Sequence, residues 1–138
     1  MTRRAAVLAG LLTLLVGASA ASGGAAARPT DGTVDVTIHH STFDPGSIAV
    51  RPGERVRFVI RNTDPIDHEF IVGDGEVQRA HEEGTEAHHL PRPGEVSIPA
   101  GATVVTTYTF PTGPGELIFG CHLPGHYDFG MRGTVTIA

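Results

Sequence analysis

Cys121 is the only cysteine in the chain, and five residues later stands His126, with Met131 another five beyond. The stretch reads Cys121-His122-Leu123-Pro124-Gly125-His126-Tyr127-Asp128-Phe129-Gly130-Met131. It offers a thiolate, an imidazole and a thioether, and Pro-Gly bends the chain between the first two. Soft sulfur combined with imidazole suits copper that cycles between its two oxidation states. A thiolate and two imidazoles in a trigonal set, with a weak axial thioether, make a one-electron copper site. The second imidazole must come from far upstream, so the other elements must bring a distant histidine to this loop.

The chain has 138 residues, one domain's worth. It opens with a basic Thr2-Arg3-Arg4, an apolar run from Ala5 to Gly17 and a small-residue Ala18-Ser19-Ala20. Together these predict a secretory signal peptide over residues 1–20, cleaved near Ala20, and so a secreted or periplasmic protein. The run is too short for a comfortable membrane span, so membrane contact is expected only through an uncleaved signal segment. Without residues 1–20 the chain carries 8 arginines, no lysine and 15 acids, a net charge of −7. That acidity excludes nucleic acid as a partner and suits a partner with a basic docking patch. A lone thiol outside the cytoplasm needs protection, by metal ligation or by burial.

Residues 21–32 are small and Gly/Ala-rich and predict a flexible linker. From Thr33 the pattern turns to period two, the mark of half-buried strands, and the domain is expected to span 33–138. Val34, Val36 and Ile38 alternate with polar residues, and Val56, Phe58 and Ile60 do the same between arginines. Further strands are expected at Ile48–Val50, His68–Val72, Val96–Ile98, Thr103–Phe110, Glu116–Cys121 and Gly133–Ile137. Residues 73–95 break the rhythm; Asp74 to Glu83 reads as a short helix and Gly84 to Gly94 as loop. Short strands with Gly/Pro turns predict an all-β Greek-key sandwich of about seven to eight strands, with a helical or irregular insertion near 73–95.

Strand parity says which side chains point inward. Leu117 and Phe119 belong to the core, and Cys121 shares their parity; His122 then points away, to solvent. Val135 and Ile137 face the core, and Met131 shares their parity. Phe70 and Val72 face the core, and His68 shares theirs. His68, Cys121 and Met131 therefore end three strands on the inward face, and His126 sits mid-loop, free to join them.

Asp67-His68-Glu69-Phe70 followed by Cys121, four residues, His126, four residues and Met131 resembles the cupredoxins, small blue copper proteins of the plastocyanin and azurin type. The resemblance spans Val34 to Ile137 and implies a type 1 copper ion held by His68, Cys121, His126 and Met131. It implies a monomeric carrier of single electrons between redox partners, and no enzyme. The alternative is an extracytoplasmic protein of copper storage, delivery or resistance. Cupredoxins commonly follow the distant histidine with Asn or Ser, which helps hold the cysteine sulfur; Glu69 stands there in this chain. The resemblance also implies that the edge of His126 is the electron port, within an apolar patch that Leu123 and Pro124 help form.

The spacing also resembles multicopper oxidases, in which histidines on both sides of the cysteine lead to a second copper cluster. Gly120 precedes Cys121 here, and no His-x-His pair occurs in the chain. His81, Glu82, Glu83, Glu86, His88 and His89 gather in the irregular segment and raise the option of a second, weaker metal ion. Asp64 and Asp67, on either side of Pro65-Ile66, read as turn formers.

Overall fold

The computed structural model describes residues 25–84 and 90–138. Among these residues, nine strands and one helix follow in the order β1 (Thr33–His39), β2 (Thr42–Asp44), β3 (Ser47–Val50), β4 (Arg55–Asn62), β5 (His68–Gly73), α1 (Gly75–Gly84), β6 (Glu95–Ile98), β7 (Thr103–Thr109), β8 (Gly115–Gly120) and β9 (Arg132–Ile137). They make an open β-sandwich of two mixed sheets, one in the order β2-β1-β4-β7, the other β3-β9-β8-β5-β6. β1 runs parallel to β4, and β3 parallel to β9; the other strand pairs are antiparallel. The strand beyond the expected count is β2, whose Phe43 points inward between the exposed Thr42 and Asp44.

The alternation in the sequence becomes the two faces of the first sheet. In β4, Val56, Phe58 and Ile60 are fully buried while Arg55, Arg57 and Arg61 are exposed. Burying each such apolar side chain contributes about 1.5–3 kcal/mol. Phe43, Phe58, Phe70, Phe110 and Phe119 meet between the sheets, with Phe43 edge-on to both Phe70 and Phe119.

The second sheet is different. Every residue of β5 is buried, on both faces. The inner face carries Phe70 and Val72 into the core, and the outer face is covered by α1, which packs on β5 and β8. Asp74 starts the helix by accepting the N–H groups of Glu76 and Val77 on Oδ1, both at 3.0 Å.

Of the segment read as a linker, 21–32, the described part is pinned to the sandwich. Ala27 N–H donates to the Ser47 carbonyl at 2.9 Å and the Ala27 carbonyl accepts from Ala49 N–H at 2.8 Å, a parallel bridge beside β3. The signal-peptide expectation, residues 1–20, lies outside the described residues. Among the described residues no helix is long and apolar enough to cross a membrane.

Candidate metal centre

Three of the four expected ligands converge at one end of the sandwich. His68 opens β5, opposite Ile98 of β6. Cys121 follows the last residue of β8, and its N–H donates to the Met131 carbonyl at 3.1 Å. His126 lies in the connecting loop, whose second half is closed by Met131 N–H donating to the His126 carbonyl at 2.9 Å. The loop closes tightly because Gly125 and Gly130 take φ of 82° and 95°, a region that side-chain-bearing residues rarely adopt.

The Cys121 sulfur and one ring nitrogen each of His68 and His126 all lie within 4.8 Å of one another. His126 Nδ1 is 3.3 Å from Sγ, and the two imidazole centroids are 5.1 Å apart. His68, Cys121 and Met131 are buried, as parity requires, and His126 is half-buried. Met131 stands beside Cys121 as its backbone partner.

The electrostatics follow from burial. Desolvation pushes the Cys121 thiol up to about 11, against N–H groups of Leu123 and Glu69 that favour the thiolate. Desolvation also lowers His126, helped by the neighbouring His68 and opposed by Asp64, which favours the neutral imidazole that a metal ion would need. Burial works against the Asp64 carboxylate, yet the N–H groups of Ser41 and His40 and the His68 ring outweigh it and hold Asp64 below its ordinary range.

The donor set fits copper. His68 Nε2 lies 2.9 Å from Asp64 Oδ2, which leaves Nδ1 as the other ring nitrogen. That Nδ1 is buried with no hydrogen-bond partner. Buried polar atoms are rarely left so, and a metal ion answers the vacancy in the hydrogen-bond pattern. A thiolate with two imidazoles suits copper rather than calcium or magnesium, which take oxygen donors.

Glu69 meets the sulfur through its backbone: its N–H donates to Cys121 Sγ at 3.3 Å. Its side chain, fully buried, accepts the N–H of His122 on Oε2 at 3.3 Å. The hydrogen bond to sulfur thus needs no particular side chain at position 69, and the side chain braces the backbone after the cysteine.

Two expectations are corrected. His122 does point away from the core, as parity demands, but it is not solvent-facing: it is 5% exposed. The outer face of β8 is roofed by α1, so Nε2 lies 2.7 Å from Gln78 Oε1 and Nδ1 lies 2.7 Å from Glu82 Oε2. The ring also stacks on Tyr127 at 4.5 Å. Asp64 is more than a turn former, since its buried carboxylate holds His68. Sequence reasoning missed this link because Asp64 and His68 are joined by an irregular loop, where spacing says nothing of contact. Asp67 also reaches beyond its own turn, its Oδ1 accepting the N–H of the distant Ala100 at 2.9 Å.

Among the described residues, His68, Cys121 and His126 form the only group of three or more such ligands close enough to hold a metal. His81 instead donates from Nδ1 to the Val77 carbonyl and sets Nε2 3.3 Å from Glu95. Glu86, His88 and His89 lie outside the described residues.

Residues 6–137 match the cupredoxin-like domain family. The copper-resistant cuproprotein CopI of Rubrivivax gelatinosus is 40% identical over 99 residues, 69% of this chain and 59% of that protein. The chain thus spans less than two thirds of that relative's length. CopI of Pseudomonas aeruginosa is 29% identical over an alignment of 168 positions that covers 92% of each chain. Among solved structures, reduced auracyanin of Roseiflexus castenholzii superposes with a TM-score of 0.64 at 23% identity, over 78% of this chain and 97% of that one. Auracyanin B does so with 0.62 at 24% identity, over 84% and 92%. These two share the fold. From its sandwich, its ligand loop and its match over nearly the whole length, the chain belongs to the cupredoxin-like domain family.

Proposed function

We propose that this chain is an extracytoplasmic copper-binding protein of copper resistance, holding one copper ion on His68, Cys121 and His126 with Met131 as a weak axial donor. The carrying observation is the partnerless Nδ1 of His68 in one group with the Cys121 sulfur and a His126 nitrogen, in a chain related to copper-resistant cuproproteins. Copper bound there supplies one-electron chemistry and an intense thiolate absorption. The chain's own atoms do the rest. Cys121 gives up its proton, Glu69 N–H stabilises the thiolate, and the buried setting keeps water from the sulfur. The signal-like residues 1–20 support the address outside the cytoplasm.

Electron carriage is the second reading. It is favoured by the half-buried His126, near the 93% exposed Phe129 and the half-buried Leu123 in the same loop. One experiment separates the two. A copper-sensitive bacterial host receives the wild type, Cys121→Ser or Leu123→Glu, and growth is followed as copper rises. Copper resistance through binding predicts that the wild type and Leu123→Glu restore tolerance and Cys121→Ser does not. Tolerance restored by Cys121→Ser overturns the proposal. Tolerance lost in a copper-loaded, normally coloured Leu123→Glu protein would favour the electron carrier.

A further inference from the structure

The buried carboxylate of Asp64 is gripped from three directions. His40 N–H donates to Oδ1 at 2.7 Å, Ser41 N–H to Oδ2 at 2.8 Å, and the His68 ring to Oδ2 at 2.9 Å. The first two donors come from the β1–β2 turn, where His40 and Ser41 sit at φ of 49° and 52°. Two successive non-glycine residues in the left-handed region cost about 1–2 kcal/mol each. Their N–H groups converge on one anion, and charge-assisted hydrogen bonds of this kind offset that cost. Asn62 fixes the carboxylate's own backbone, with Oδ1 accepting Asp64 N–H at 2.9 Å. The Asn62 amide is in turn tied down, donating to the carbonyls of Ile66 and Pro99. Asp64 is therefore placed by groups that have nothing to do with a metal, and it presents one oxygen to one nitrogen of His68.

A neutral imidazole has a single N–H, and a carboxylate facing one nitrogen claims it. We propose that Asp64 is a positioning residue of the metal centre: its fixed carboxylate locks His68 in the Nε2–H tautomer, so that Nδ1 is the ligand atom, and its charge makes His68 a stronger donor to Cu(II) than to Cu(I). The second half rests on the copper reading of the site; the first does not. A carboxylate behind a ligating histidine orients the ring and raises its basicity, and losing one weakens metal binding by about 10–100-fold. The effect falls mainly on the more highly charged oxidation state. Asparagine at this position would keep one oxygen acceptor for His68 but lose the charge and one acceptor for the turn.

Nitrogen-15 NMR of the copper-free wild type decides the first half. At a pH where His68 is neutral, its ring is expected in the Nε2–H form. An Nδ1–H ring overturns the proposal, whatever the protein does with copper. For the second half, Cu(II) and Cu(I) affinities are measured on the wild type and on Asp64→Asn, with thermal melting to show that both are folded. Cu(II) binding is expected to weaken about tenfold or more while Cu(I) binding is unchanged. A tenfold selective loss raises the reduction potential by about 59 mV. Equal losses for both ions, or none, overturn this half and leave Asp64 a structural brace. Should Asp64→Asn fail to fold, the wild-type NMR result still stands as the test. A wild type that binds no copper defeats the copper reading alone, and the NMR separates that failure from this one.

Discussion

At Cys121 the fold and the metal pull in opposite directions. Burial raises the thiol to about 11, so the copper-free protein carries the proton at neutral pH. Ligation needs the thiolate, so copper uptake must release that proton. We expect about one proton more per ion from the wild type than from Cys121→Ser, read by calorimetry in two buffers of different ionisation enthalpy. Cys121→Ser should also lose the visible thiolate band; a variant that stays coloured, or releases the same proton, would remove sulfur from the ligand set. Met131 is 1% exposed and pairs through its carbonyl with Cys121 N–H. If Met131 is the weak axial donor proposed above, it would tune the potential more than hold the ion. Met131→Leu conserves volume, should cost less than about 1.5 kcal/mol of stability, and should raise the potential while keeping the colour. Met131→Gln should lower it. Unmoved voltammetry in both variants would mean that Met131 only fills space.

At the scale of elements, α1 decides what the strand pattern alone leaves open. Gln78, 3% exposed, donates to the carbonyls of Ile71 and Ile118 at 3.1 and 3.0 Å, bridging β5 and β8. Its oxygen meets His122, the residue after Cys121. Gln78→Ala leaves those buried groups unpaired and should destabilise the fold by about 1–3 kcal/mol in urea unfolding. A loss no larger than that of an exposed helix substitution would show that the bridge is replaced by water. The alternation of β1 and β4 was readable because each has one wet face. In β5, the burial of Glu69 was not legible, since nothing local announces that a helix 75–84 folds back over the strand. The same omission made His122 appear solvent-facing, though its direction was right. His68, Cys121 and Met131 were legible as inward strand ends, because parity is a local property. The Asp64–His68 bond was not, because only the tertiary placement of the 62–68 loop creates it.

For the whole molecule, charge and the exposed loop set what can dock. Residues 21–138 carry a net charge of −7. Around His126 the loop shows Phe129 at 93% exposure, with Pro124 exposed and Leu123 half-buried. Apolar surface beside a half-buried ligand favours close approach, and the surrounding acidity selects who approaches. If electrons leave through His126, the sign of the salt effect depends on the partner. Exchange with a basic redox protein is attractive and should slow as salt rises, since screening shortens the field to about 10 Å at 0.1 M. Self-exchange between two copies is repulsive and should quicken under the same change. Leu123→Glu places a charge in the apolar contact, so it should slow both reactions at high salt, where its added attraction for a basic partner is screened, while leaving the visible spectrum intact. Stopped-flow exchange and NMR line broadening measure the two rates. Salt effects of the same sign in both would show that net charge does not steer the encounter, and a Leu123→Glu protein at the wild-type rate would place the electron port away from the His126 loop.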